Sequence, residues 1–193
     1  MAVYGVGLYE KGKYVSKRNG CPTKCYRAWQ GIIERCHHPN RLEKHPTYAD
    51  CKVVEEWLSF QVFAEWWHSQ PFHDCEGYHL DKDLLVKGNK TYGPDFCRFV
   101  PSALNNLPTS CKASRGEHPI GVCRETNKGV FKAYIKIRGR NKHLGHFLEE
   151  KDAFNAYKVA KESYMKELAE EYKSCIAHDL YVAISQRIVE IGD

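Results

Sequence analysis

The stretch Leu80–Asn89, LDKDLLVKGN, sets two carboxylates two residues apart, Asp81 and Asp83, beside an otherwise apolar run that ends in Gly88-Asn89. Carboxylates at this spacing either gather a divalent metal or hold a turn by accepting backbone N–H bonds. The calcium-loop pattern is excluded, because no further oxygen ligand arrives before Gly88. A second set of metal-capable groups lies upstream: Cys21, Cys25 and the run Cys36-His37-His38. Thiolate and imidazole suit zinc. No Cys-x-x-Cys pair occurs, so zinc is the lesser expectation and free thiols the greater. The cysteines number nine, an odd count that argues against a disulfide framework in a reducing compartment.

Charge is the other chemical signal. The net charge is only +5, but it is unevenly spread. Between Lys112 and His146 stand Lys112, Arg115, Arg124, Lys128, Lys132, Lys136, Arg138, Arg140 and Lys142, opposed only by Glu117 and Glu125. That segment is +7 and the rest of the chain −2. A concentrated basic segment is a nucleic-acid footprint. The plainer reading is a lysine-rich strand face that blocks edge association.

Composition bounds what must position these groups. Hydrophobic residues make up 42% and aromatics 12%, enough for a packed core in one large or two small domains. No apolar run approaches the roughly 18 residues of a membrane span. The N-terminus lacks a charged segment followed by an apolar one, so no secretion signal is expected and the protein should be cytosolic.

Residues 1–22 read as an irregular arm. From Thr23, Tyr26, Trp29, Ile32, Ile33 and Cys36 recur on one helical face, and His37-His38-Pro39-Asn40 ends that helix. A polar loop to Lys52 precedes a second helix over 53–69, with Trp57, Phe60, Ala64 and Trp67 inward and Pro71 as its stop. Then come a strand at 78–81, a loop through Gly88-Asn89, a strand at 96–100, and a short helix opened by Pro101-Ser102. Residues 109–117 form a linker. Strands follow from Ile120, over 130–138, and over 142–147, with turns at Thr126–Gly129 and Gly139–Asn141. A helix over 149–172 turns Ala153, Ala156, Tyr157, Ala160 and Tyr164 inward, and a last helix spans about 174–189.

Alternation assigns the faces of the central strand: Phe131, Ala133, Ile135 and Ile137 inward, Lys132, Tyr134, Lys136 and Arg138 outward, joined by Arg124, with Lys142 as a further candidate. A two- or three-stranded ribbon is slim enough for the major groove of duplex DNA. The order Gly121-Val122-x-Arg124, Phe131-Lys132-Ala133-Tyr134-Ile135, Leu144-Gly145-His146-Phe147 and Glu150-x-x-Ala153-x-x-Ala156-Tyr157 is similar to the AP2/ERF DNA-binding domain. The resemblance implies a three-stranded antiparallel sheet packed on a helix and reading DNA. The DNA-contacting positions it implies are Arg124, Lys132, Tyr134, Lys136 and Arg138, with Lys128 and Lys142 added from the charge pattern. Phe131 stands where the plant family often has Trp.

The first half resembles phage-type HNH (His-Me finger) homing-like endonucleases, several of which carry an AP2-like domain after the nuclease. The resemblance rests on Tyr26-x-x-Trp29, Arg35-Cys36, Trp57-x-x-Phe60, Leu80-Asp81-Lys82-Asp83, Gly88-Asn89-Lys90, Tyr92-x-Pro94, Phe99-Val100-Pro101 and Asn105-Asn106. It implies a strand–strand–helix hairpin holding one divalent ion at the scissile phosphate. Asp81 and Asn105 or Asn106 would be the ligands, and Asn89 would orient the general base. The motif has His beside the first ligand, and this chain has Lys82. The base is then a Lys82 of lowered pKa, or His79, which shares a strand face with Asp81; Asp83 lies on that face as well. His37, His38, His45, His68 and His73 are further imidazoles. Oxygen ligands favour Mg²⁺ or Mn²⁺.

The expected architecture is α+β. An HNH-like region (1–108) leads through the linker (109–117) to an AP2-like domain (118–173) and a C-terminal helix (174–193). The expected function is metal-dependent hydrolysis of double-stranded DNA, in the cytoplasm of an infected bacterial host. The alternative is an inactive DNA-binding or host-directed inhibitor protein on the same scaffold, with a protein partner. A weaker third reading is a zinc-stabilised adaptor. No membrane partner is expected.

Overall fold

The first residues form two small hairpins rather than an irregular arm. β1 (Ala2–Val3) pairs with β2 (Gly7–Leu8), and β3 (Lys17–Arg18) with β4 (Cys21–Pro22). Asn19 and Gly20, with φ of 51° and 77°, make a two-residue turn between the paired Arg18 and Cys21. Such a turn matches the twist of the flanking strands. The computed structural model describes residues 2–107 and 117–193. Lys112, Arg115 and all of the expected linker but Glu117 lie outside the described residues.

Thr23 caps α1 (Lys24–His37) by accepting a hydrogen bond from the Tyr26 N–H. The expected loop after it contains a short helix, α2 (Pro39–Lys44), with Pro39 at its first turn, where its missing N–H costs nothing. The expected helix over 53–69 is broken in three. β5 (Lys52–Val53) pairs in parallel with β7 (Thr91–Tyr92), a 3₁₀ turn spans Glu55–Leu58, and α3 covers only Phe60–Ser69. Ladder bonds from Lys52 N–H to Lys90 O (2.9 Å) and Val54 N–H to Tyr92 O (3.0 Å) hold the first part extended. Ser59 then caps α3.

Between β5 and β7 in the chain lies β6 (Tyr78–Asp81), which pairs antiparallel with β8 (Arg98–Pro101), Asp81 opposite Arg98. Pro101 closes β8 opposite Tyr78 instead of opening the helix; at a strand end its missing donor is tolerated. α4 (Ser102–Asn105) follows and packs on both strands.

The sheet of the second half has β9 (Val122–Glu125), β10 (Val130–Ile137) and β11 (Arg140–Phe147) in the antiparallel order β11-β10-β9. β9 begins at Val122 because Gly121, with φ of 75°, turns the chain just before it. α5 (Glu150–Glu171) packs against all three strands, and its buried apolar residues are Ala153, Phe154, Tyr157, Met165, Leu168 and Ala169. Ala156, Ala160 and Tyr164 are half-buried, and Lys161 is buried within the apolar stripe. The last helix, α6, is shorter than expected, His178–Ser185. Beyond it the Val189 backbone is claimed by α5: its N–H donates to Glu162 (2.9 Å) and its carbonyl accepts from Lys158 (2.7 Å).

The chain thus combines helices with small sheets in an α+β arrangement. It divides into two units: residues up to Asn105 with Cys175–Leu180, and Asn106–Ser174 with Tyr181–Asp193. The core of the first is aromatic. Trp29, Trp57, Phe60 and Phe63 are fully buried, and the Trp29 indole N–H donates to Trp57 O at 2.8 Å. Burying each such ring stabilises by about 1.5–3 kcal/mol. In the same unit Tyr78 OH donates to Cys175 O, and Arg98 pairs with Asp179 at 2.6 Å. No helix among the described residues is long and apolar enough to cross a membrane.

Candidate nucleic-acid interface and hairpin site

The loop after β6 draws Asp81, Lys82, Asp83 and Asn89 together. Asp81 Oδ1 accepts the N–H groups of Asp83 (2.8 Å) and Leu84 (2.7 Å), which makes it a turn anchor. Burial pushes the Asp81 carboxyl above its usual range, against the pull of the Leu84 and Asp83 N–H donors. Lys82 is 6% exposed. Its ammonium pairs with the Asp83 carboxylate, reaches Asn89 O at 3.3 Å, and lies 5.5 Å from the centre of the Tyr92 ring. Asn89 donates to Lys82 O (2.8 Å) and Thr91 O (2.7 Å), and accepts from Thr91 N–H (3.1 Å). Both N–H donors of its amide are thereby engaged within the loop.

His79 is held elsewhere. Its Nε2 lies 2.9 Å from Ser102 Oγ, whose hydroxyl also reaches Gly77 O. His79 is exposed and registered opposite Val100. Asn105 ends α4 half-buried in the first unit, whereas Asn106 is exposed and belongs to the second. Among the described residues no group of three or more His, Cys, Asp or Glu is placed to hold a metal ion. Cys21 and Cys25 line a cleft of about 360 Å³ with His68 and Asp74, without forming such a group. The eight described cysteines are free, and burial raises Cys25 to about 12.

The sheet redistributes the basic residues. Directly paired strand residues share a face. Lys132 lies opposite Cys123 and His146, Tyr134 opposite His143, and Lys136 opposite Asn141. These form the outward face. Arg124, expected there, is paired with Phe131, and its guanidinium sits 6.0 Å from that ring's centre. Lys142 is paired with Ile135. Both therefore belong to the face that α5 covers, although both side chains are exposed at its rim. Arg138 is not in the strand. With φ of 46° it forms the β10–β11 turn with Gly139, between the paired Ile137 and Arg140. Its side chain folds back to Glu171 and Glu167 of α5. Lys128 pairs with Glu125 at 3.0 Å.

The outward face also carries two residues that sequence reasoning missed, His143 and His146. They are three apart, an odd spacing that would split them between faces of a regular strand. The register steps from Ala133↔Gly145 to Tyr134↔His143, which leaves Leu144 as a bulge and brings both imidazoles outward. Their ring centres are 4.6 Å apart. A bulge has no reliable sequence signal; only Leu144-Gly145 hints at one.

The chain is matched by no family model, curated protein or solved structure. The functional reading therefore rests on the two sites themselves.

Proposed function

We propose that the chain is a duplex-DNA-binding protein that meets DNA with the outward face of β9–β11. The observation that carries this reading is the exposed row on that face, Lys136 and Tyr134 beside half-buried Lys132, flanked by His143 and His146. A ribbon of this width suits the roughly 12 Å major groove. Its lysines neutralise phosphates, and Tyr134, 41% exposed, offers a hydroxyl and a ring edge to the bases. The hairpin at 78–107 then acts as a nuclease-like scaffold whose polar groups hold its own loop.

A second reading, metal-dependent DNA cleavage, is favoured by one feature: an exposed His79 fixed by Ser102, two residues before Asp81. Asp81 Oδ2 stands outside the turn bonds, and Asn105 lies on the helix that packs against β6. One carboxylate and one amide oxygen suit Mg²⁺ or Mn²⁺, which keep several waters. The ion would supply positive charge at the scissile phosphate. Asn89 is engaged with Lys82 and Thr91, and Lys82 is paired with Asp83, so His79 is the base this reading requires.

Electrophoretic mobility shift and plasmid nicking with Mg²⁺ and Mn²⁺ test both. Duplex binding without nicking is expected. Absence of duplex binding would remove the DNA-binding reading. Metal-dependent nicking that is lost in His79→Ala while binding persists would establish the second.

A further inference from the structure

We infer that DNA binding at the outward face is proton-dependent, with His143 adding a cationic contact as it protonates beside a His146 that is held by Glu125. This rests on the DNA-binding reading. The bulge at Leu144 places both imidazoles on the face that carries Lys132, Tyr134 and Lys136, with ring centres 4.6 Å apart. Both are exposed, so a phosphate has access to either ring.

The surroundings define the charge balance. His146 faces Lys132 on β10 and Glu125 on β9, with its Nε2 3.0 Å from Glu125 Oε2. Glu125 is shared with Lys128. His143 faces Tyr134, with Lys132 and Lys136 two positions either side of that residue along β10. Cys123 lies opposite Lys132. Along β11, Arg140 and Lys142 are registered to the other side, opposite Ile137 and Ile135, where α5 packs. With neutral imidazoles, the cations described on this face and not paired to a carboxylate are Lys132 and Lys136. Protonation adds His143 to them, while a proton on His146 completes an ion pair with Glu125.

Imidazole is the unperturbed side chain that changes charge between about pH 5 and 8. A bound phosphate favours the cationic form of the imidazole it touches. Binding therefore takes up protons, and lowering the pH strengthens binding by the same linkage.

The test is fluorescence anisotropy of a labelled duplex with the full chain, over salt from about 50 to about 200 mM, at about pH 8 and about pH 5.5. Each phosphate neutralised contributes about −0.9 to the slope of log affinity against log salt, so the slope should steepen by about 1 at the lower pH. His143→Gln should remove nearly all of that steepening, whereas His146→Gln, whose ring faces Glu125, should remove little of it. Binding with one slope at both pH values overturns the inference and leaves the DNA-binding reading standing. Steepening that survives in His143→Gln overturns it as well. No binding at either pH removes the DNA-binding reading itself.

Discussion

The side-chain nitrogen of Asn89 lies 2.8 Å from the carbonyl oxygen of Lys82 and 2.7 Å from that of Thr91. One amide thus ties the two ends of the loop that separates β6 from β7. Asn89→Ala removes these two bonds and the one its oxygen accepts from Thr91 N–H. It leaves part-buried backbone groups without partners, at a cost of about 1–3 kcal/mol. Urea unfolding should show that loss. Asn89→Asp should rescue little of it, since a carboxylate has no N–H to give. Wild-type stability in both variants would mean that the loop is held by Asp81 and Lys82 alone.

Lys161 is buried on α5, and its one hydrogen bond among the described residues goes to Leu107 O at 3.1 Å. Burial lowers its pKa to about 8. The unfolded lysine titrates near 10.5, so between these values the unfolded chain holds the extra proton and stability rises with pH. Below about 8 the full penalty is present; above 10.5 it is gone. Lys161→Met should stabilise the protein at neutral pH by up to about 3 kcal/mol and flatten this rise. Thermal unfolding between neutral and alkaline pH reads both effects.

Gly121 combines a φ of 75° with a Tyr157 ring atom 2.1 Å from where a Cβ would stand. Gly121→Ala meets both backbone strain and an unyielding ring. The expected loss is about 2–4 kcal/mol, visible in chemical denaturation. Tyr157→Leu added to Gly121→Ala should recover part of it by opening the space.

Lys136 and Arg138 are two residues apart but make opposite predictions for DNA. Lys136 is exposed on the outward face, while Arg138 is paired with Glu167 and Glu171. Lys136→Ala should weaken duplex binding and reduce the salt slope by about 1, whereas Arg138→Ala should leave the slope nearly unchanged. Equal effects in the two variants would show that Arg138 leaves its carboxylates to contact DNA.

Much of this was legible in the residues, and the misses have physical causes. The apolar period of Trp29, Ile32 and Ile33 gives α1, and the alternation of Ala133 and Ile135 gives β10 and its buried face. Asn19-Gly20 is a strong hairpin signal that passes unnoticed because its strands are only two residues long. The split of the expected 53–69 helix depends on a partner strand far along the chain, which local pattern does not reveal. The same holds for the site. Asp81 reads as a turn anchor or a ligand, and only the contacts of its oxygens separate these roles. Arg138 looks like the end of an outward row, and a shift of one residue in the turn returns it to α5. His143 and His146 reach one face through a bulge that periodicity has no means to foresee.

The parallel pairing of β5 with β7 stitches residues 52–53 to residues 91–92. The loop of the 78–107 hairpin is therefore completed by a segment from well upstream of the hairpin itself. It is not a cassette that can be excised or grafted by its sequence boundaries. A fragment starting at residue 78 would expose the unpaired edge of β7 and lose the Val54 N–H bond to the Tyr92 carbonyl. Any minimal version of this half of the protein has to begin before Lys52. In folding terms, this pairing joins residues 39 apart in the chain, Lys52 with Thr91 and Val53 with Tyr92, a non-local contact of the kind that slows folding.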